Sequence, residues 1–193
     1  MASMTKNQVL VEAFGENRTI LRQAVLIGAG IVAMVLAAKL RVPMWPVPMT
    51  LQTLAVLLIG TTFGARLGMM TLLGYLALGA AGVAVFAGES AGLAYMTGPT
   101  AGYLVGFAVA AGLMGLLARR GLDRSMAAMA GMMLAGSAVI YTFGLGWMSV
   151  LFVADKGFGW VLQYGMLNFL AGDLIKLAIA VLLVPGLWKM VRR

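Results

Sequence analysis

Two oppositely charged side chains, Asp173 and Lys176, stand three residues apart in the stretch Leu167-Asn-Phe-Leu-Ala-Gly-Asp-Leu-Ile-Lys-Leu-Ala178, which is otherwise almost wholly apolar. On one helix such positions are neighbours and can touch. A carboxylate accepts hydrogen bonds from N–H groups, and an ammonium donates to a carbonyl oxygen. Side by side they complement a cyclic urea or amide that presents both. Each charge near the centre of a bilayer costs roughly 2.5–3.5 kcal/mol on insertion scales, so groups of this kind usually line a cavity and mark a ligand or ion path. A proton or sodium relay would use the same two residue types. A self-neutralising pair that only fixes helix packing is the third reading. Leu162, Met166 and Phe169 extend the pair's stripe at helical spacing, with Tyr164 on the opposite side.

Other polar positions are few. Gln52 follows the stretch Val42-Pro-Met-Trp-Pro-Val-Pro48, whose prolines forbid a regular helix and predict an extended or re-entrant loop. Its amide is expected near an outer helix end, satisfied either by local backbone or by a ligand. Glu89 is the one acid between the third and fourth apolar runs and is expected in solvent. Small residues recur every fourth position at Ala24 and Gly28 and again at Ala29, Ala33 and Ala37. Rows of this type let helix backbones approach closely, within the chain or against another membrane subunit.

The elements that must position these groups follow from composition. Of 193 residues, 62% are hydrophobic and 10% charged, with a mean hydropathy of +0.99. A soluble domain carries about a quarter charged residues, so most of this surface must face lipid. The excess of bases is scattered over segment ends rather than gathered with aromatics on one face, which argues against nucleic acid. Neither Cys nor His is present, which removes thiol and imidazole catalysis. With no GxxxxGK[ST] run and no GxSxG elbow, neither ATP-driven work by this chain alone nor a hydrolase is expected. The chain reads as a non-enzyme without cofactor or metal.

A hydrocarbon core of about 30 Å needs roughly 20 apolar residues per helix. Six runs qualify, bounded near 20–40, 50–63, 67–86, 98–118, 125–153 and 160–184. The second is short, and the fifth is long enough to tilt or to be trimmed at Gly144–Gly146. Together they predict an all-α membrane domain over 1–193: a polar, solvated cytoplasmic tail over 1–18, without a removable signal peptide, and a helical bundle over 20–189. With the N-terminus inside, Lys6, Arg18, Arg22, Arg66, Arg119, Arg120, Arg124, Lys189, Arg192 and Arg193 fall on the cytoplasmic side. Only Lys39, Arg41 and Lys156 fall outside. That bias places both termini in the cytoplasm. Lys39 and Arg41 run against the rule, which suggests a function for the first loop or snorkelling.

Four stretches in order carry a resemblance. They are Val47-Pro-Met-Thr-Leu-Gln-Thr-Leu-Ala-Val-Leu-Leu-Ile-Gly60; Leu76-Ala-Leu-Gly-Ala-Ala-Gly82 with Val85-Phe-Ala-Gly88; Gly98-Pro-Thr-Ala-Gly-Tyr-Leu-Val-Gly-Phe107; and Gly172-Asp-Leu-Ile-Lys176. The chain resembles the BioY family, the biotin-binding S components of energy-coupling factor transporters, over most of its length. The resemblance implies a six-helix S-component bundle in the bacterial plasma membrane, with a biotin pocket toward the outer face. It implies a biotin site that uses Asp173 and Lys176, with Gln52 touching ligand; the arrangement expected from the buried pair is a clasp on the ureido ring, with apolar and aromatic side chains such as Trp45, Phe86 and Tyr103 covering the remainder. It further implies docking through Ala29, Ala33 and Ala37 onto a membrane coupling subunit, with energy from separate ATPase subunits. A proton- or sodium-coupled secondary transporter without such partners is the alternative, and a homo-oligomer stays open. The third loop departs from the family pattern at Ala84, Glu89 and Ser90.

Overall fold

A computed structural model describes residues 7–14 and 19–191. The chain folds almost entirely into helices: α1 (Leu10–Ala13), α2 (Ile20–Lys39), α3 (Gln52–Ala80), α4 (Gly92–Met96), α5 (Ala101–Arg119), α6 (Met126–Lys156), α7 (Phe158–Gly165) and α8 (Leu170–Val191). One-turn 3-10 helices lie at Leu122–Arg124 and Leu167–Phe169. A two-residue antiparallel ladder, β1 (Arg41–Val42) with β2 (Met49–Thr50), closes the proline-rich loop between α2 and α3.

Five stretches are long and apolar enough to cross a bilayer: Ile20–Lys39, Gln52–Ala80, Ala101–Arg119, Met126–Lys156 and Phe158–Val191. The second contains two of the six runs expected from sequence. At Gly64 the backbone leaves helical geometry (φ 83°, ψ 169°), a left-handed conformation that glycine adopts without a Cβ penalty. The chain doubles back there. Gln52 Nε2 lies 2.8 Å from the Tyr75 hydroxyl, whereas 23 residues of straight helix would separate them by about 35 Å. The limb 52–63 is only about 18 Å long, well short of the hydrocarbon core.

Two expected boundaries are corrected. α6 continues without interruption through Gly144–Gly146 for 31 residues. Gly144 is there for packing, since a Cβ on it would stand 2.3 Å from the Tyr103 ring. The last run is not one helix: it breaks at Met166 (φ −141°, ψ −57°), and α8 starts only at Leu170. The continuous stripe through Leu162, Met166 and Phe169 is therefore lost.

Buried apolar surface cannot drive helices together inside lipid, so close backbone approach must do so. The α3–α5–α6 contacts show how. A Cβ on Gly115 would stand 2.0 Å from Ala65 N, one on Gly60 2.5 Å from Ala111 O, and one on Gly102 2.2 Å from Phe143 O. α5 is accordingly the most enclosed span, and the outer faces of α2 and α8 present Val25, Val32, Leu36, Leu174, Ile175 and Leu182 outward.

The bases gather at the end of the bundle formed by the Gly64 turn and the α5–α6 connection. Arg119 pairs with Glu12 at 2.8 Å, Arg22 donates to Val11 O, and Arg124 stacks over Trp188 at 4.6 Å. Trp188 Nε1 donates to the buried Asp123 carboxylate at 2.6 Å. The segment 7–14 is thus more than a solvated tail, because Val9 and Leu10 are buried against the bundle. Lys6, Arg18, Arg192 and Arg193 lie outside the described residues.

Replacing Gly115 by Ala forces a methyl group into the α3 backbone. Overpacking of this kind costs roughly 1–3 kcal/mol or more. Thermal unfolding in detergent is expected to show a clearly lowered Tm for Gly115→Ala. Gly131→Ala, where nothing lies within 4 Å of the added methyl, is expected to match the parent.

Candidate functional site

At the opposite end, the β-ladder loop, α4 and the starts of α5 and α8 surround a cavity of about 550 Å³, counting the space at its mouth. Its walls are Val47–Thr50, Gln52 and Thr53 on one side, Tyr95, Thr100, Tyr103, Leu104 and Phe107 on another, and Ile140, Tyr141, Phe169, Asp173 and Lys176 on the third. This mixture of apolar walls with a few converging polar groups suits a small organic molecule.

Asp173 and Lys176 meet in this wall. Lys176 Nζ lies 2.9 Å from Asp173 Oδ1 and also donates to Thr53 Oγ1 at 2.8 Å. The other carboxylate oxygen, Oδ2, accepts from the Tyr141 hydroxyl. An ammonium has three N–H donors, so one is left for a guest, while the carboxylate keeps lone pairs beyond the two it uses. Because the helix begins at Leu170, Asp173 occupies the first turn of α8 rather than mid-helix. There the helix macrodipole favours a negative charge by about 0.3–1 kcal/mol. Both side chains are largely buried, Lys176 at 7% and Asp173 at 15% exposure, which makes their partners matter more than on a wet surface.

Gln52 is buried, accepts from Thr50 Oγ1 at 3.2 Å and donates to Tyr75, whose hydroxyl donates in turn to Val85 O at 3.1 Å. That chain ties the cavity wall to the third loop. Tyr103 offers the cavity its ring; its hydroxyl donates to Gly165 O at 2.6 Å, a carbonyl at the end of α7 that the helix break frees. Phe86 stands one layer behind the wall, fully buried, stacked on Tyr95 at 4.8 Å and edge-on to Tyr75. Trp45 lies outside the lining, two-thirds exposed, in an aromatic group with Phe152 and Trp160.

The two bases that run against the charge rule hold the divergent loop. Lys39 Nζ donates to Ala84 O at 2.8 Å and to Gly88 O, and stands 3.9 Å from the exposed Glu89. The Arg41 guanidinium lies against Gly88, where a Cβ would approach it within 2.8 Å. On α2, Ala29 and Ala33 are exposed but Ala37 is buried. The three do not form one face, because eight residues at 100° each rotate the later position by 80°.

Sequence reasoning passed over Thr53, Tyr95, Thr100 and Tyr141. Thr53 directly follows Gln52, and Thr100 lies within the quoted Gly98–Phe107 stretch. Tyr141 is a lone phenol in the long apolar α6 run, a signal of the same kind as a charge in a span. Burial raises the Tyr95 phenol above its ordinary pKa, so it remains a hydrogen-bond donor at physiological pH.

Comparison with known proteins adds independent support. The BioY family model matches residues 4–193. A protein of Pyrococcus horikoshii named "Probable biotin transporter BioY" is 37% identical over 150 residues, covering 78% of this chain and 86% of its own length. The "Biotin transporter BioY" of Thermotoga maritima is 34% identical over 170 residues, covering 88% and 98%, and that of Rhizobium etli 36% over 165 residues, covering 82% and 87%. A crystal structure described as the S-component for biotin from an ECF-type ABC transporter superposes with a TM-score of 0.77 at 23% identity, over 90% of this chain and 94% of that one. That likeness establishes the fold.

The Asp173–Lys176 contact predicts strong coupling in a double-mutant cycle. Removing one member of a buried pair costs about 3–5 kcal/mol, whereas replacing both by apolar groups is often nearly neutral. Asp173→Leu and Lys176→Met are each expected to lower Tm markedly, with the double variant closer to the parent than either. Simple addition of the two losses would show the charges to be independent.

Proposed function

The chain belongs to the BioY family, and from that premise we propose that it captures biotin for uptake as the S component of an energy-coupling factor transporter. The observation that carries this reading is the Asp173–Lys176 pair set in the wall of a cavity rather than in a filled helix seam. The ureido ring of biotin presents two N–H donors and a carbonyl acceptor. Asp173 supplies lone pairs to the former and Lys176 its remaining N–H to the latter. Thr53 and Tyr141 hold the two charged groups in place, and Tyr103, Phe107 and Phe169 offer apolar surface to the thioether ring and chain.

In this reading the cavity faces outward and both termini lie in the cytoplasm of a plasma membrane. Support comes from charge: Arg22, Arg66, Arg119, Arg120, Arg124 and Lys189 gather at the end away from the cavity, as the positive-inside bias requires. Without a P-loop in its sequence, the chain leaves ATP hydrolysis to separate subunits. The exposed Ala29 and Ala33 on α2, beside Gly28, offer a close-approach surface to a membrane coupling subunit.

Equilibrium titration of the purified protein with radiolabelled biotin tests the reading. Saturable binding below about micromolar is expected. Tyr141→Phe removes the donor on Asp173 Oδ2 and is expected to weaken binding by about tenfold, in line with the loss of one hydrogen bond to a charged group. Absence of saturable binding, together with an Asp173→Asn variant indistinguishable from the parent, would overturn the assignment.

A further inference from the structure

Six described bases gather at the end of the bundle away from the cavity, and they fall into two sets. Arg22, Arg119 and Arg124 are bound within the chain, and all three grip the segment 7–14. Arg119 donates to Asn7 O at 3.1 Å besides pairing with Glu12, Arg124 donates to Gln8 O at 3.4 Å, and Arg22 donates to Val11 O at 3.1 Å. Arg66, Arg120 and Lys189 are different. Each is exposed, and none makes a hydrogen bond or ion pair with a described residue. The acids described at this end are already engaged, Glu12 by Arg119 and Asp123 by the Trp188 indole. Arg66 and Arg120 share this end because α5 runs antiparallel to the second limb of α3. Gly112 packs on Met69 and Gly115 on Ala65, and a Cβ on Gly64 would stand 3.6 Å from the Arg119 guanidinium.

What lies below each free base points to what binds it. Positions four, seven, eleven or fourteen residues apart share one face of a helix. Below Arg66 that face carries Met70 and Leu73, below Arg120 it carries Leu116 and Val109, and below Lys189 it carries Leu182 and Ile175, all of them exposed. Each cation therefore heads an apolar row that faces lipid. A water-soluble acidic polypeptide would meet the charge and leave the row bare. A phospholipid covers both, with its phosphate on the base and an acyl chain along the row. Guanidinium groups suit this task, because their N–H donors match phosphate oxygens in pairs. We propose that Arg66, Arg120 and Lys189 form a binding surface for anionic phospholipid at this face of the bilayer, distinct from the arginines that hold the N-terminal segment. The surface lies at the far end of the bundle from the cavity, so the proposal does not depend on the biotin reading.

The test is electron paramagnetic resonance on the full-length protein in phosphatidylcholine vesicles. The probes are phosphatidylglycerol and phosphatidylcholine, each spin-labelled on an acyl chain. At low salt the parent is expected to immobilise the labelled phosphatidylglycerol at least about fivefold more strongly, the factor that one base near an anionic surface supplies. The triple variant Arg66→Gln/Arg120→Gln/Lys189→Gln is expected to bring that ratio within about twofold of unity, as loss of the local charges implies. Arg66→Gln alone is expected to lower it, so the result does not hang on the stability of the triple variant. The charge-conserving Arg66→Lys/Arg120→Lys is expected to retain the preference, and so is Lys156→Gln, which removes an exposed base at the cavity end. The proposal is overturned if the parent does not distinguish the two lipids, which would leave the bases to water or to an acidic polypeptide. It is also overturned if the triple variant keeps the parent's ratio. Displacement of the labelled lipid by inorganic phosphate at constant ionic strength would assign the bases to a soluble anion and overturn it as well.

Discussion

The architecture depends on keeping a carboxylate and an ammonium inside an apolar bundle. Neither charge can remain there alone, since an unpaired ion in such surroundings is penalised by several kcal/mol. Each is met by the other and by one hydroxyl, Thr53 for the lysine and Tyr141 for the aspartate. The hydroxyls come from α3 and α6 and both charges from α8. The pair therefore knits α3, α6 and α8 around a common point. The start of α8 at Leu170 adds its dipole to the same end, so the break at Met166, which looks like a defect in an apolar span, places Asp173 where a negative charge is favoured.

Around that point, glycine decides what is open and what is closed. Where α3, α5 and α6 cross, Gly60, Gly102 and Gly115 bring backbones into contact and leave no gap. At the other end, the proline-rich segment with its two-residue ladder cannot pack as a helix and arches over the bundle, and the helices stand apart beneath it. The cavity is what remains when tight seams at one end meet an irregular roof at the other. The hydrogen-bond chain from Gln52 through Tyr75 to Val85, with Lys39 on the neighbouring carbonyls, extends that roof to the third loop.

Much of this was legible in the chain itself. The apolar runs and the charge pair stand out because lipid tolerates so few alternatives, and the match of the BioY family model to residues 4–193 agrees with the motifs that suggested it. Other features were hidden for definite reasons. A single glycine can end a helix or sit in its middle: Gly64 reverses the chain, whereas Gly144 only admits the Tyr103 ring. Hydropathy does not distinguish the two. The break at Met166 carries no Pro or charge to announce it. Tyr141 and Thr53 become partners of the pair only through contacts between residues 32 and 123 positions apart, which no local pattern records. Ala37 was grouped with Ala29 and Ala33 by spacing, yet the accumulated rotation of the helix turns it inward.

The unequal lengths of the helices have a consequence for the surrounding lipid. α6 measures about 46 Å from end to end, while the limbs of the α3 hairpin span roughly 18 and 24 Å. A bilayer that matches one does not match the other, and mismatch of this kind is accommodated by local thinning, tilt or snorkelling. Acyl-chain length is thereby a variable to which the long α6 and the short hairpin limbs respond unequally.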